Sequence, residues 1–295
     1  MAKSHIFTNV TLDGTMSYIV FRWLTGRDNI SYTCTKVSEF RENFLHWLSH
    51  HNANDYNHIY IFGLDVTECC SDILDRSNIV IIDHHNNLNV KYNHSKVFVR
   101  KFSSCSKLIY KLLQNKTDCK LTNKQKHLLL LADDYESYQL QLIGSYELNI
   151  LFWTYQGDRL KRLISEFNDG FFGFNKTQKN IISFYNKKTK QIKSQLNMFS
   201  ANIPIGDKSY KFVSTFASDC INEVADYIIE RNNADVGIVI NPNNNRVSFR
   251  RSKLSCINLL NMAKKITNGG GYEYAAGGMI TDQFLSFSKL LKPIK

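Results

Sequence analysis

The N-terminal third of the chain alternates short apolar runs with stretches of helical periodicity. Apolar runs over 5–10, 30–34, 59–64 and 79–82 predict strands, and the patterns over 15–24, 40–50 and 69–74 predict helices. Strands that alternate with helices indicate a parallel sheet with helices packed on it. The sequence therefore predicts an α/β fold with a doubly wound N-terminal sheet, and ligands of such sheets bind beyond the carboxyl ends of the strands.

The rest of the chain predicts a helical region and a second domain. The pattern is mostly helical over 104–196, ends in a lysine-rich helix, and leads to a loop near 200–208 that contains Pro204 and Gly206. Further strands over 210–216, 236–240 and 246–250, with helices over 220–231 and 255–266, predict a smaller α/β domain. We therefore expect two domains, residues 1–198 with the helical linker and residues 207–295, on either side of a cleft.

Composition and charge narrow the class of protein. At 295 residues and 43% hydrophobic, the chain can fill two cores. It lacks an apolar run of about 18 residues and the apolar core of a signal peptide, so we expect a soluble, cytoplasmic protein without a membrane partner. Seven cysteines, an odd number without a C-x-x-C pair, argue against a complete disulfide framework. The net charge of +11 favours a polyanionic partner such as nucleic acid. The abundance of asparagine and lysine is compatible with an AT-rich genome such as that of a virus, whose protein would act in the host cytoplasm.

Acidic and histidine side chains collect where the predicted strands end. Asp13 follows the first strand, Asp65 follows the third, and Asp83, His84 and His85 come directly after the apolar run 79–82. Because the carboxyl ends of parallel strands share one edge of a sheet, we expect these side chains to converge. Taken singly, the first two aspartates could be helix N-caps. Together, the carboxylates and imidazoles favour a site for Mn²⁺ or another divalent cation.

Two more motifs complete a recognisable order. An acidic pair, Asp133 and Asp134, precedes a run with five glycines in ten residues that begins at Gly269. The order of these motifs resembles the DHH phosphoesterase superfamily with its DHH-associated C-terminal domain, which includes RecJ-type exonucleases, nanoRNases and cyclic-dinucleotide phosphodiesterases. The resemblance spans essentially the whole chain and rests on the Asp-His-His triplet together with the distal Gly-Gly-Gly-x-x-x-Ala-Ala-Gly. It implies a hydrolase that acts on phosphodiester bonds.

The resemblance implies one complete cation position and one degraded position. The complete position would take as ligands Asp13, Asp65, His84 and either Asp133 or Asp134, between which the sequence does not decide. Family members also hold a second ion through a His-x-Asp-x-Asp-Gly motif. Here Asn9 and Thr11 stand at the first two ligand positions of that motif, so we expect the second ion to bind poorly.

The resemblance also assigns catalytic and substrate-binding roles. Asp83 would orient a ligand histidine or a water on the ion, and His85 would contact phosphate or relay a proton. The substrate-binding residues would be Arg250, Gly269, Gly270, Gly271 and Tyr272. The last of these stands where the family has a histidine, and a tyrosine donates a hydrogen bond but carries no positive charge at neutral pH. The glycine run could equally be a structural turn.

Two functional hypotheses remain open at this point. The first is a metal-dependent phosphodiesterase that hydrolyses short oligonucleotides or cyclic dinucleotides in the cleft between the domains, with a single ion. The second is a catalytically degenerate relative that binds nucleotides or nucleic acid without turnover, because Asn9, Thr11 and Tyr272 each replace a residue that the family uses. The complete cation position favours the enzyme. A homodimer is compatible with both hypotheses.

Overall fold

A computed structural model describes residues 3–27, 30–85 and 90–294. The chain divides into two compact units, Met1–Ile182 and Ser183–Lys295. The division falls inside the lysine-rich helix Lys176–Ser194. The domain bounds 1–198 and 207–295 stay a prediction.

The first unit contains a five-stranded parallel sheet with the strand order 2-1-3-4-5. Its strands are β1 (Ser4–Asn9), β2 (Ser31–Thr35), β3 (His58–Phe62), β4 (Ile79–Asp83) and β5 (Lys96–Val99). Its helices are α1 (Leu12–Thr25), α2 (Phe40–His50), α3 (Ser71–Leu74), α4 (Cys105–Leu113), α5 (Asn123–Glu136), α6 (Ser145–Thr154), α7 (Arg159–Phe167) and α8 (Lys176–Ser194), the last of which continues into the second unit.

Helices cover both faces of this sheet, because the alternating side chains of each strand point in opposite directions. Ile61 of β3 and Ile81 of β4 are fully buried in one cluster with Phe44 of α2. On the other face, Phe62 of β3 packs against Phe21 of α1, with 5.4 Å between the ring centroids. Burial on both faces explains why the strands read as near-continuous apolar runs. The predicted doubly wound α/β architecture is confirmed.

The second unit contains a seven-stranded mixed sheet with the order β10-β11-β9-β8-β7-β6-β12. Its elements are β6 (Met198–Ile205), β7 (Lys208–Phe216), α9 (Ile221–Asn232), β8 (Val236–Asn241), β9 (Arg246–Arg251), α10 (Leu259–Thr267), β10 (Gly270–Gly271), β11 (Ala275–Met279), α11 (Asp282–Ser288) and β12 (Lys292–Pro293). The pair β7 and β8 is parallel and the other pairs are antiparallel. The predicted smaller α/β region is thus confirmed.

The prediction of a loop near 200–208 is wrong. The segment forms β6 and the turn of an antiparallel hairpin with β7, and Gly206 takes a φ of 61° in that turn. Pro204 lies in β6 opposite Ser209. The neighbouring strand β12 pairs with β6 at Phe199 and Ser200. The rest of β6 is an edge, where a proline costs no hydrogen bond of the sheet.

Among the described residues, none of the helices combines the length and the apolar character that crossing a bilayer requires.

Candidate metal centre

The turn between β1 and α1 fixes Asp13 at the carboxyl edge of the parallel sheet. Thr11 caps α1, and its hydroxyl accepts a hydrogen bond from the backbone N–H of Gly14 at 3.1 Å. A Cβ at position 14 would lie 2.2 Å from the backbone oxygen of Asn9, so only glycine allows the helix to start this close to the strand. Asp13 therefore sits in the first turn of α1, with 2% of its surface exposed.

The Asp13 carboxylate also binds the start of α4. It accepts hydrogen bonds from the backbone N–H of Cys105 at 2.9 Å and from Ser106, whose N–H and hydroxyl lie at 3.0 and 2.6 Å. Negative charge at a helix N-terminus is favourable. Asp13 is thus not the N-cap of its own helix, yet it does serve a structural role for another helix. Its Oδ2 atom also faces His84, at 4.0 Å from Nδ1.

The end of β4 presents Asp83 and both histidines. His85 donates from Nδ1 to the two carboxylate oxygens of Asp83, at 2.7 and 2.9 Å. Burial opposes a charge on His85, but the hydrogen bond to Asp83 and the charges of Asp83, Asp65 and Glu136 outweigh it and raise the pKa of His85 above 6.5. The contact with Asp83, a carboxylate that is 1% exposed, therefore favours the charged form of His85.

His84 lies between three carboxylates. Its Nδ1 atom is 3.8 Å from Oδ1 of Asp83, and its Nε2 atom is 3.8 Å from Oε1 of Glu136. Nδ1 is buried and has no hydrogen-bond partner among the described residues. Burial lowers the pKa of His84 below 6.5, although Asp13 and Asp83 act in the opposite direction. A neutral imidazole nitrogen close to carboxylate oxygens supplies the kinds of ligand atom that a divalent cation binds.

Glu136 is the site residue that sequence reasoning missed. It is the last residue of α5, and burial together with the charges of Asp13 and Asp133 raises its pKa to about 8, against the opposing effect of His85. A carboxyl group with such a raised pKa indicates a position at which a bound cation would be favourable. The sequence feature that could have predicted Glu136 is its spacing. It follows Asp133 by three residues on one helix and so lies on the same face.

The ligand atoms fall into two tight groups. One group is Asp83, His84 and His85, and the other is Asp13, His84 and Glu136; within each group the atoms lie within 4.8 Å of one another. His84 belongs to both groups. The second group is suited to one divalent cation, because its two carboxylates offer hard oxygen ligands from different elements around one imidazole.

The two aspartates between which the sequence did not decide have different surroundings. Asp133 accepts hydrogen bonds from the Ser104 hydroxyl at 2.7 Å and from the Lys107 ammonium at 2.6 Å. Its charge also acts on His84 and Glu136, so Asp133 flanks the candidate site. Asp134 accepts from the backbone N–H groups of residues 141 and 142, at 3.1 and 3.0 Å. Asp134 therefore fixes the loop after α5.

Asn9 and Thr11, which stand where family members have ligands of the second ion, form hydrogen bonds within the fold. The Asn9 amide donates to the backbone oxygen of Gly63 at 3.1 Å, and Thr11 caps α1. Gly63 comes directly after β3 and has a φ of 59°, and Asp65, two residues further on, is half-buried. The charge of Asp65 contributes to the raised pKa of His85, which places it beside the two ligand groups but outside both.

In the second unit, Arg250 is half-buried in β9. Its guanidinium donates to the side-chain oxygen of Asn222 at 2.5 Å and to the backbone oxygen of Phe249 at 2.9 Å. These bonds use part of the donor set of a guanidinium, which has several N–H groups. The role of Arg250 in holding phosphate stays a prediction.

The glycine run forms a narrow hairpin. Gly270 pairs with Gly277, and the backbone N–H of Tyr272 donates to Ala275 at 2.7 Å to close the turn. A Cβ on Gly269 would lie 1.9 Å from the Gly277 oxygen, so close backbone packing explains the glycine at 269. The Tyr272 ring stacks on that of Tyr274 at 5.3 Å between centroids. Phosphate binding by this run stays a prediction.

No protein-family model and no curated protein sequence matches this chain. Solved structures do match. The pGpG-specific phosphodiesterase PggH from Vibrio cholerae has a TM-score of 0.59 at 12% identity, over 97% of this chain and 96% of that one. A DHH domain, described as that of a member of a family of ribosomal proteins, has a TM-score of 0.64 at 10% identity, over 99% and 87%. Manganese-bound exonuclease RecJ has a TM-score of 0.56 at 11% identity, over 97% and 88%.

These structural matches establish the class of fold. Each covers nearly the whole chain, and each aligns at a sequence identity far below that at which activity could be transferred. The chain has the fold of DHH-domain proteins, as the order of its motifs predicted. The particular chemistry must be argued from the site itself.

Proposed function

We propose that this protein is a phosphodiesterase that uses one divalent cation, Mn²⁺ or a similar ion, to hydrolyse short oligonucleotides or cyclic dinucleotides. Asp13, His84 and Glu136 would hold the ion, and Asp65 and Asp133 would flank it. A divalent ion there would neutralise charge on the phosphate and lower the pKa of the attacking water.

The observation that carries this proposal is the environment of His84. A buried polar atom without a hydrogen bond costs about 1–3 kcal/mol, and such atoms are rare in folded proteins. Here the Nδ1 atom of His84, for which residues 3–27, 30–85 and 90–294 offer no hydrogen-bond partner, lies 4.0 Å from Asp13 and 3.8 Å from Asp83. A cation would satisfy the nitrogen and offset the repulsion between the carboxylates at once.

The pair of Asp83 and His85 would act on the substrate. The hydrogen bonds to Asp83 hold a proton on Nδ1 of His85, so in the charged ring Nε2–H would be the donor to a phosphate oxygen. The hydrogen bond to Asp83 raises the pKa of His85 and so favours the charged ring. His85 would thus supply one of the two positive charges that a second ion gives in a two-metal site.

The charge of the chain and the proteins of similar fold support the proposed substrate class. A net charge of +11 favours a polyanion, and Arg250 offers a guanidinium for phosphate. The solved structures with this fold include a phosphodiesterase specific for pGpG and an exonuclease. Both act on phosphodiesters, and these activities support a nucleotide substrate for this protein.

A second candidate function is nucleotide binding without turnover. The observation that favours it is the use of Asn9 and Thr11 in hydrogen bonds within the fold, to Gly63 and to Gly14. The side chains of Asn9 and Thr11, at two positions where family members bind a second ion, therefore stabilise the fold instead. Such a protein would bind a nucleotide and leave it intact.

Hydrolysis of a small panel distinguishes the two functions. The panel contains a dinucleotide, a five-nucleotide RNA, a cyclic dinucleotide and adenosine 3′,5′-bisphosphate, each with Mn²⁺ and with EDTA. We expect Mn²⁺-dependent cleavage that falls about a hundredfold or more in His84→Gln, the effect of losing a ligand of a catalytic ion. The matched control is His50→Gln, because His50 is exposed at the end of α2. Equal activity of both variants would remove His84 from the site, and nucleotide binding without cleavage would favour the second function.

A further inference from the structure

A pair of thiols lies in the turn that follows Asp65. Cys69 and Cys70 are adjacent in the chain, and their sulfur atoms are 3.6 Å apart, which is van der Waals contact. Cys69 is exposed and Cys70 is buried. Neither residue belongs to the candidate metal centre.

We propose that Cys69 and Cys70 form a site of reversible oxidation, at which a peroxide converts the two thiols into a vicinal disulfide that displaces Asp65. The effect on the cation rests on the proposed function, because it requires an ion beside Asp65. The formation of the disulfide and the movement of the turn do not depend on that function.

The chemistry is balanced between two thiols and one peroxide. The thiolate of Cys69 attacks one oxygen of hydrogen peroxide, the O–O bond breaks, and the hydroxide that leaves takes up the released proton to become water. The sulfur of Cys70 then attacks the sulfenic acid, and the hydroxyl group leaves with the thiol proton as a second water. Burial raises the pKa of Cys70 to about 12, so the exposed Cys69 is the thiol that reacts first.

Hydrogen bonds connect this pair of cysteines to Asp65. The backbone N–H of Cys70 donates to the Val66 oxygen at 3.1 Å, and the Cys69 sulfur lies 3.7 Å from the same oxygen. The N–H of Val66 in turn donates to the Leu64 oxygen at 2.8 Å, which makes Asp65 the centre of a three-residue turn. Val66 therefore contacts both cysteines and also closes the turn at Asp65. A movement of either sulfur would shift Val66 and, with it, Asp65.

The flanks of the segment are fixed from outside, so the turn must absorb the change. The Tyr92 hydroxyl donates to the Thr67 oxygen at 2.6 Å, and Arg41 donates to the Cys69 oxygen at 3.3 Å and to the Asp72 carboxylate. A disulfide would shorten the sulfur distance to about 2.05 Å. Adjacent Cα atoms are about 3.8 Å apart, less than the usual span across a disulfide, so the bond is strained and easily reduced.

The test uses the full chain with Cys119→Ser and Cys256→Ser, which removes two other exposed cysteines. Trypsin releases residues 42–76 as one peptide, which contains Cys69 and Cys70 and none of the other cysteines. After hydrogen peroxide and then N-ethylmaleimide, we expect this peptide unlabelled and about 2 Da lighter than its reduced form, because oxidation removes two hydrogens. Dithiothreitol should restore two labels. The Cys69→Ser variant is the control, in which the bond cannot form.

Two further readouts separate the steps of the proposal. Hydrogen exchange at the amides of Val66 and Cys70 should speed up about tenfold on oxidation, as expected when local hydrogen bonds open. Mn²⁺ affinity should fall about tenfold and recover with dithiothreitol, the range expected for a group that flanks a metal site. Two labels after peroxide, or unchanged amide exchange in the disulfide form, would overturn the proposal. A reduced protein that binds no Mn²⁺ would instead overturn the proposed function, while the peptide mass and the exchange would still decide on the oxidation site.

Discussion

Replacing Glu136 by glutamine should make the metal-free protein more stable and remove its response to Mn²⁺. The carboxyl group of Glu136 has a pKa of about 8 in the folded chain and a reference value of 4.5. Between these values the folded state holds a proton that the unfolded state has lost, so folding stability decreases as the pH rises through this window. Below the lower value both states are protonated and the contribution disappears.

The size of the effect follows from the same values. At pH 7, keeping the Glu136 carboxyl protonated costs about 3 kcal/mol, since each pH unit above the unfolded pKa contributes about 1.4 kcal/mol. Glutamine keeps the shape of the protonated group and does not ionise. In EDTA the variant should therefore exceed the wild type in unfolding free energy by about 3 kcal/mol at pH 7 and by less than about 1 kcal/mol at pH 5.

Urea unfolding followed by tryptophan fluorescence measures this difference, because Trp23, Trp47 and Trp153 all lie in the first unit. With Mn²⁺ at about a hundred times its Kd, the wild type should gain about 2.7 kcal/mol, and the glutamine variant should gain almost nothing. Glu42→Gln, at an exposed position of α2, should match the wild type in every condition. A variant at Glu136 that is less stable than wild type in EDTA at pH 7, or is stabilised equally by Mn²⁺, would refute the reasoning.

Two other substitutions test how the site is positioned. Asp134→Ala should free the loop after α5, so limited proteolysis within 137–144 should accelerate, while the Kd for Mn²⁺ changes by less than about threefold because Asp134 binds backbone N–H groups. A tenfold loss of affinity would instead make Asp134 a ligand. Gly14→Ala should lower the unfolding free energy by about 3 kcal/mol, since its Cβ meets backbone at 2.2 Å, whereas Gly270→Ala, with open space around it, should cost less than about 1 kcal/mol. Equal melting temperatures of these two glycine variants would contradict the packing argument.

The sequence was sufficient for the central strands and for the edge strand β2, and insufficient for β5 and β6. Strands β1, β3 and β4 are buried on both faces, so their apolar runs stand out from the surroundings. Strand β5 has four residues, none of them fully buried, and no strand was predicted there. Strand β6 was predicted as a loop because Pro204 is typical of loops, but an edge tolerates proline. Edge strands carry weak hydrophobic signals because solvent replaces one set of neighbours.

The candidate site shows a second limit of sequence patterns. Asp13, Asp83 and His84 were predicted to converge because strand ends share one edge, and the structure brings them together. The acids of α5 could not be sorted by a motif, since residue identity does not tell which way a helix faces. Successive helix positions turn by about 100°, so Asp133 and Glu136 share the face toward His84 while Asp134 turns to the loop.

The energetic state of the metal-free site is itself an argument for a ligand. Within the part of the chain that the structure describes, an imidazole nitrogen of His84 has no hydrogen-bond partner next to Asp13 and Asp83, and Glu136 lies where ionisation is unfavourable. Each feature lowers stability by an amount that a simple apolar replacement would recover, since buried unpaired polar groups cost about 1–3 kcal/mol each. Functional sites often contain residues that lower the folding stability of the protein. A single divalent cation would satisfy His84, neutralise Asp13 and allow Glu136 to ionise. The cost of the cluster therefore favours a bound cation, which the proposed hydrolysis requires.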